Sequence, residues 1–193
     1  MDAETDEELV RRFQDGSAGA FEVLVERHGR RVFNLCLRIL GDADEAADAS
    51  QDAFLSALRK LHTFRGEAAF TTWLHRVTVN ACYDELRRKR RRPLLHVVAE
   101  GEEDRPLPTP IAEDPAPAVE LSVDVARALR TVPEEFRVAL VLADVEDLPY
   151  DRISEVLGIP VGTVKSRVFR GRAALGRALG EPSRSSRASE EEA

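Results

Sequence analysis

The ten residues TVKSRVFRGR, at positions 163–172, carry four cationic side chains and no acidic one. If residues 163–173 form a helix, at about 100° per residue, their side chains divide between one outward face and one inward face. One face would carry Lys165, Ser166, Phe169, Arg170 and Ala173, with Arg167 and Arg172 on its flanks. Such side chains can hydrogen-bond to base edges in a DNA major groove, and flanking arginines can bind phosphates. The alternative is a basic face that only water contacts.

The residues before this helix predict a helix-turn-helix over about 153–172. A short amphipathic segment is followed by a turn containing Gly158, Pro160 and Gly162, and Thr163 stands near the start of the second helix. The apolar positions expected to pack between the two helices are Ile153, Val156, Leu157, Val164, Val168, Gly171 and Leu175. This context favours DNA binding over a merely solvated basic face.

A second candidate nucleic-acid surface lies within residues 62–92. A helix starting at Thr71 or Thr72 would carry one polar face, made of Trp73, Arg76, Asn80, Asp84, Arg87 and Arg91. Six consecutive basic residues, 87–92, would repel one another and are expected to need phosphate. The preceding loop, 64–70, is expected to expose aromatic and backbone groups that could hold an unstacked base. For Trp73 and Phe70, core packing is an equally good interpretation.

An acidic stripe marks the helix predicted before that loop. Asp44, Asp48 and Asp52 recur every four residues, with Gln51 beside them and Phe54, Leu55 and Leu58 adjacent. Like charges at this spacing cost a few tenths of a kcal/mol per pair. The stripe could dock on a basic protein surface, or it could combine a favourable helix dipole with a solvated face. The residue types leave both interpretations open.

The acidic excess is confined to two segments. The chain has a formal charge of −7, but residues 1–92 and 119–180 each contain as many basic as acidic residues. Residues 93–118 carry one arginine, six acidic residues and six prolines, which predicts an extended linker. Residues 181–193 form a polar tail. Local patches decide nucleic-acid binding, so the overall acidity does not argue against it.

Helical periodicity without strand patterns predicts an all-α protein. We expect two small helical domains, 7–92 and 119–179, joined by the acidic proline-rich linker 93–118 and followed by a disordered tail, 180–193. The predicted helices cover residues 6–14, 17–40, 42 or 44 to 61, 71 or 72 to 92, 119–131, 134–145, 149–157 and 161–179.

The sequence does not show the residue patterns that several other classes of function require. No run of 18 apolar residues could span a membrane, and the acidic N-terminus does not look like a secretion signal. Neither histidine nor cysteine spacing indicates a metal, and we expect His62 and His75, near Asp84, to be structural. We therefore expect a cytoplasmic protein that needs no cofactor and is not an enzyme. Three alternatives fit less well. A helical hydrolase would need paired catalytic carboxylates, a Ser-His-Asp set or a metal site. A response-regulator activator would need an α/β receiver domain, and an adaptor that binds only protein would leave its basic faces solvated.

Together these features resemble one family, the extracytoplasmic-function sigma factors, which are promoter-recognition subunits of bacterial RNA polymerase. The resemblance spans about residues 7–179. The sequences that carry it are DADEAADASQDAFLSALRKL, FRGEAAFTTWLHRVTVNACYDELRR and LRTVPEEFRVALVLADVEDLPYDRISEVLGIPVGTVKSRVFRGRAAL, with the acidic joint between the last two. Each motif alone is weak, whereas the ordered set is specific.

The resemblance implies a role for each surface. Contacts with the clamp helices of the largest polymerase subunit would fall to Asp44, Asp48, Gln51, Asp52 and Phe54. Opening the −10 element and holding a flipped base would fall to Phe64, Arg65, Phe70, Asn80, Asp84, Arg87 and Arg88. Reading the −35 element would fall to Thr163, Lys165, Ser166, Arg167, Arg170 and Arg172.

The resemblance also implies partners. Besides promoter DNA, these are core RNA polymerase, including the flap region of its second-largest subunit, and an anti-sigma factor that holds the protein inactive. The acidic linker would follow the RNA exit path of the polymerase. No direct membrane insertion and no covalent chemistry are implied.

Overall fold

The computed structural model describes residues 4–91 and 123–180, which form eight α-helices and no strand. The helices are α1 (Asp6–Gln14), α2 (Gly19–Leu40), α3 (Ala43–Lys60), α4 (Phe70–Arg91), α5 (Val123–Thr131), α6 (Glu134–Asp144), α7 (Tyr150–Leu157) and α8 (Val161–Gly180). The all-α prediction is confirmed for this part of the chain. The predicted linker, 93–118, and all but the first residue of the predicted tail, 180–193, lie outside the described residues.

Local capping explains most of the helix ends. Thr5 and Glu8 form a capping box at the start of α1, and the Asp42 carboxylate accepts from the Glu45 N–H at 2.9 Å at the start of α3. Gly41 ends α2 with a φ of 79°, a conformation that glycine adopts without strain. The predicted start of the fourth helix, at Thr71 or Thr72, is wrong by less than one helical turn. Helix α4 begins at Phe70, so Thr71 and Thr72 lie inside its first turn.

Residues 4–91, here called the first module, pack α2, α3 and α4 around a shared core. The side of α3 that faces this core is made of four completely buried alanines, Ala46, Ala49, Ala53 and Ala57. Because alanine side chains are small, α2 and α4 can approach α3 closely. The opposite side of α3, which carries the acidic stripe, is left to solvent.

Residues 123–180, here called the second module, are built on α6, whose middle is buried from Arg137 to Leu142. Helix α8 lies against it at Gly171. A Cβ on Gly171 would lie 3.0 Å from the Phe136 carbonyl oxygen and 3.1 Å from the Leu140 Cβ, so this close contact depends on glycine. The contact fixes the rotation of α8 and therefore decides which of its side chains face outward.

The two modules also contact each other. Helix α4 packs on α7, and α2 packs on α5 and α6, so the buried apolar side chains form one continuous cluster. Local periodicity does not indicate this contact, because it joins residues that are far apart in the chain.

Candidate nucleic-acid and polymerase interfaces

The loop between α7 and α8 forms the predicted helix-turn-helix. Gly158 ends α7 with a φ of 64°, and its N–H donates to the Ser154 carbonyl at 2.9 Å. The Ser154 hydroxyl donates across the turn to the Ile159 carbonyl at 2.6 Å. After Pro160 the chain enters α8, and the Thr163 N–H donates back to the Pro160 carbonyl at 2.8 Å. These bonds hold α8 at a fixed angle to α7.

The faces of α8 follow the sequence prediction. Val164 and Val168 are buried against the module, as is Gly171, while Leu175 is half-buried. The outward side chains are Lys165, Ser166, Phe169, Arg170 and Ala173. Phe169 is 74% exposed, which is unusual for a phenylalanine in a helix whose other face is buried in the core. The exposed face is therefore cationic with one apolar ring at its centre.

Three arginines of α8 are held by neighbours from α6. Arg172 makes two hydrogen bonds to the Asp144 carboxylate, at 2.6 and 2.9 Å, which raises the pKa of its guanidinium. Arg167 pairs with Glu135 at 3.0 Å, and the guanidinium of Arg170 lies 5.7 Å from the centre of the Phe136 ring. The two flanking arginines predicted to bind phosphate thus already have anionic partners, which a phosphate would have to replace.

Helix α4 exposes the polar face predicted for it. Arg76, Asn80, Asp84 and Arg87 are exposed, and Trp73 is half-buried. Asp84 pairs with Arg87 one turn later at 3.0 Å. The face is continuous with the basic run at the end of the helix.

Four of the described residues of the basic run, 87–90, have carboxylate partners within the protein, and the expectation that the run binds phosphate stays a prediction. Arg88 pairs with Asp52 of α3 and with Glu85, and Lys89 pairs with Glu45 of α3 at 2.6 Å. Arg90 pairs with Glu134 of the second module. Carboxylates of α3, α4 and α6 therefore offset part of the repulsion among the described residues of the run, and Arg88 also neutralises Asp52 of the acidic stripe.

The loop before α4 rests on an aromatic cluster. Phe70 is 1% exposed, so the interpretation of this ring as core is the one that the structure supports. Its ring centre lies 6.2 Å from Phe64 and 5.8 Å from Trp73, and Phe64 lies 5.4 Å from Trp73. The side-chain amide of Gln14 donates to the carbonyls of Leu61 and Phe64, at 3.0 and 2.9 Å. Arg65 remains exposed above this support.

Gln14 was not a candidate in the sequence, because a glutamine at the end of an amphipathic helix carries no special pattern. Its partners lie about fifty positions away. The exposed loop residues Arg65, Gly66 and Glu67 follow directly after the carbonyl that it binds. Gln14 therefore holds the start of the loop through its side-chain amide.

The acidic face of α3 is exposed and partly apolar. Asp44, Asp48 and Gln51 are exposed, whereas Asp52 and Phe54 are half-buried. Leu55 and Leu58, which were only adjacent in the prediction, are 42% and 40% exposed. Leu55 continues the line of Asp44, Asp48 and Gln51 along the helix. An apolar edge beside carboxylates suits a protein partner better than water alone.

Other kinds of site have little basis in the described residues. Within 4–91 and 123–180 no group of three or more potential ligands could hold a metal ion, and none of the helices there has the length and hydropathy to cross a membrane. Cys36 and Cys82 are free and buried. His62 is exposed, and His75 is buried with Nδ1 bonded to the Thr71 carbonyl at 2.7 Å.

Comparison with known proteins gives the same two units. Residues 24–92 match the family description sigma-70 region 2, and residues 122–175 match sigma-70, region 4. The chain is 40% identical over 184 residues to the RNA polymerase sigma-H factor of Pseudomonas aeruginosa, covering 91% of this chain and 94% of that protein. It is 37% identical over 177 residues to the ECF RNA polymerase sigma-E factor of Escherichia coli, covering 89% and 92%.

The fold is also that of a solved sigma factor. The co-crystal structure of the sigma factor RpoE with the anti-sigma factor NepR from Bartonella quintana superposes with a TM-score of 0.65. The sequence identity is 24%, and the match covers 82% of this chain and 96% of that one. With both regions matched in order and relatives aligned over most of their length, the chain belongs to the extracytoplasmic-function sigma factors, the RNA polymerase subunits that direct transcription initiation at promoters.

Proposed function

We propose that this sigma factor uses α8 to read a −35 element, the start of α4 and its polar face to open a −10 element, and α3 to bind core RNA polymerase. One observation carries the proposal: α4 and α8 each turn a polar, cationic face to solvent on a different module. A promoter is read at two separate elements, which requires two such faces.

The −35 element is assigned to the outward side of α8. The contacting residues we propose are Thr163, Lys165, Ser166, Arg167, Arg170 and Arg172. Lys165 and Arg170, on the exposed face to either side of Phe169, are suited to base edges in the major groove. Arg167 and Arg172, at the flanks, are suited to phosphates, for which they would leave their carboxylate partners.

The −10 element is assigned to α4 and the loop before it. The residues we propose are Phe64, Arg65, Phe70, Asn80, Asp84, Arg87 and Arg88. Unstacking a base costs a few kcal/mol, which the protein must offset with a site for the extruded base. Phe70, buried under Phe64, would act by supporting the loop rather than by stacking on the base.

Polymerase binding is assigned to the acidic face of α3. The residues we propose for the clamp helices of the largest subunit are Asp44, Asp48, Gln51, Asp52 and Phe54. The exposed Leu55 and Leu58 extend that surface with apolar area. The flap region of the second-largest subunit would bind the second module.

The remaining assignments concern regulation and location. The RpoE relative of Bartonella quintana was crystallised with an anti-sigma factor, which supports a comparable regulator for this chain. Core polymerase and promoter DNA are cytoplasmic, so the protein would act there. It would contribute binding energy to melting and catalyse no covalent step.

In vitro transcription tests the proposal. Purified protein, sigma-free core polymerase and fragmented genomic DNA should yield discrete transcript starts that share two upstream elements. The matched variant Arg170→Glu, which reverses one charge on the reading face of α8, should lose those starts but still bind core polymerase. If a reference sigma factor initiates with the same core while this folded protein does not, the proposed function is wrong.

A further inference from the structure

A buried carboxylate lies where the two modules meet. Glu146, in the loop between α6 and α7, is 8% exposed. Its carboxylate accepts a hydrogen bond from Arg31 Nε at 2.8 Å and from Arg38 Nη1 at 3.4 Å, and it lies 3.4 Å from His75 Nε2. All three partners belong to the first module. The second module thus offers an acid that only the first module neutralises, as far as the described residues extend.

The burial is compensated well enough to keep Glu146 charged. Burial alone would raise the pKa of this carboxyl, but hydrogen bonds from His75 and Arg31 outweigh it, and the pKa is lowered. A charged, buried carboxylate persists only with partners of this kind. The contact is therefore specific to the closed arrangement of the modules and would be lost if they separated.

Two further contacts close the same junction. Arg90, near the end of α4, pairs with Glu134 at the start of α6. The side chain of Arg130 lies over Gly41, where an added Cβ would come within 2.7 Å of its Cγ. The second module thus contacts α2 and both ends of α4. Contacts at several separate points resist rotation of one module against the other.

The closed arrangement holds the two DNA faces close together. Glu134 of α6 contacts Arg90 of α4, and the next residue, Glu135, contacts Arg167 of α8. Helix α4 packs on α7, and α7 packs on α8. Because packed helices lie about 8–10 Å apart, the axes of α4 and α8 are no more than about 20 Å apart where they pass α7. Elements centred near −35 and −10 are about 25 base pairs apart, which is about 85 Å at roughly 34 Å per ten pairs. One promoter cannot occupy both faces of the closed form.

We propose that Glu146 is a latch that holds the free sigma factor closed, and that binding to polymerase and promoter breaks it. This inference rests on the proposed function, because it is the spacing of the two promoter elements that requires opening. A buried ion cluster suits a reversible latch. Its partners regain water when the modules separate, so their mutual attraction in the closed form is largely balanced by the cost of their desolvation.

Distances between the modules test the latch without any DNA. The full chain is labelled for single-molecule energy transfer at cysteines introduced at two exposed positions, Glu26 in α2 and Asp151 in α7. The native Cys36 and Cys82 are buried and should react little. The free protein should give one short-distance population, and Glu146→Gln should raise the ratio of open to closed molecules at least about tenfold.

The control is Asp147→Asn, which removes one negative charge next to Glu146. Asp147 is exposed and has a φ of 52°, which asparagine tolerates. It should leave the distance distribution unchanged. If Glu146→Gln reduces helical circular dichroism, Arg31→Glu replaces it, since this half-exposed side chain can be changed with less risk to the core. Arg31→Glu should open the protein by repulsion.

The outcomes separate the latch from the proposed function. Unchanged distances in the folded Glu146→Gln protein, or in Arg31→Glu if that variant is used, overturn the latch, even if transcription is normal. Opening in the variant, with opening of the unaltered protein on addition of core polymerase and promoter DNA, supports it. Opening in the variant without any transcription by either protein would overturn the proposed function, and with it the requirement that promoter binding opens the latch.

Discussion

Arg88 of α4 donates a hydrogen bond to the carboxylate of Asp52 in α3. This bond joins the helix assigned to the −10 element with the helix assigned to core polymerase. Each residue has a second proposed partner, a phosphate for Arg88 and a basic clamp helix for Asp52. The two proposed binding surfaces therefore share an ion pair, and occupation of one changes the charge available to the other.

The variant Asp52→Asn should separate these effects. Both side chains are about half exposed, so we expect the stability of the first module to change by no more than about 1 kcal/mol. Release of Arg88 should strengthen binding to a single-stranded −10 oligonucleotide by up to about fivefold, measured by fluorescence anisotropy. Asp15→Asn removes a remote exposed acid and serves as the control. Equal affinity of the two variants would contradict the coupling.

Reversal of a central charge on α3 should weaken polymerase binding. Asp48 is exposed and directed away from the alanine-lined core, so Asp48→Arg should fold normally. Against a basic partner the new like charge should lower affinity for core polymerase at least about tenfold, measured by biolayer interferometry. Glu22→Arg, on the exposed side of α2, provides the same charge change elsewhere. Matching affinities for the two variants would rule out the α3 assignment.

Replacing two arginines of α8, Arg170 and Arg172, should affect DNA binding in different ways. Arg170 lies on the outward face, so Arg170→Ala should cost about 1–3 kcal/mol on the preferred −35 sequence and much less on altered ones. Arg172 sits at the flank, so Arg172→Ala should weaken all sequences alike. Competition binding against a panel of single-base variants measures this, with Arg177→Ala as the control. A uniform loss for Arg170→Ala would show that this side chain binds only phosphate.

Two glycines of α8 should respond oppositely to alanine. Gly176 has open space around it, so Gly176→Ala should stabilise the second module by about 0.5–1 kcal/mol. Gly171→Ala would press a methyl group against the backbone of α6, and overpacking of about 1–3 kcal/mol should exceed the gain in helix propensity. Urea unfolding followed by circular dichroism compares them. Stabilisation by both would mean that α8 can shift away from α6.

Stability of the first module should fall in mild acid because of His28. Burial lowers the pKa of His28, opposed by Asp6 at 2.8 Å and reinforced by the positive charges of Arg27 and Arg31. The pKa of a histidine in the unfolded chain is about 6.5, so below that pH the unfolded chain takes up the proton first. The stability that neutral His28 contributes is complete above about pH 6.5 and is lost as the pH falls toward the lowered pKa of His28 in the folded protein.

Urea unfolding at pH 7.5 and 5.5, followed by the fluorescence of Trp73, the single tryptophan, measures this. His28→Gln can still bond to Asp6 but cannot titrate, so it should lose less stability than the unaltered protein over this interval. His62→Gln, at an exposed position, should behave like the unaltered protein. The same loss in His28→Gln would exclude His28 as the source.

The faces of α8 could be predicted because they depend on local geometry. Val164 and Val168 recur at helical spacing, and so do Lys165 and Phe169, so a period of 3.6 residues separates buried from exposed positions. Phe70 was harder, since an aromatic residue before two threonines fits a loop as well as a first helical turn. Its burial depends on α1 and α2, which a reading of the local sequence does not include.

Ion pairs between residues far apart in the chain could not be predicted. Asp52 and Arg88 are 36 positions apart, and Arg31 and Glu146 are 115 apart. Such partners are set by the way in which whole helices pack, and periodicity within one helix holds no information about it. The charge repulsion predicted within the run 87–92 counted only the charges along α4, so it did not include the carboxylates of α3 and α6 that pair with Arg88, Lys89 and Arg90.

The carboxylates that hold Arg167, Arg172 and Arg88 also bear on how binding should respond to salt. Each bound phosphate normally frees about one condensed cation from DNA, which makes affinity fall steeply with ionic strength. In the proposed binding mode, each arginine that turned to a phosphate would leave behind an acid that recruits a cation from solution. The net number of ions released would then be smaller than the number of phosphate contacts, so promoter affinity should depend less steeply on ionic strength.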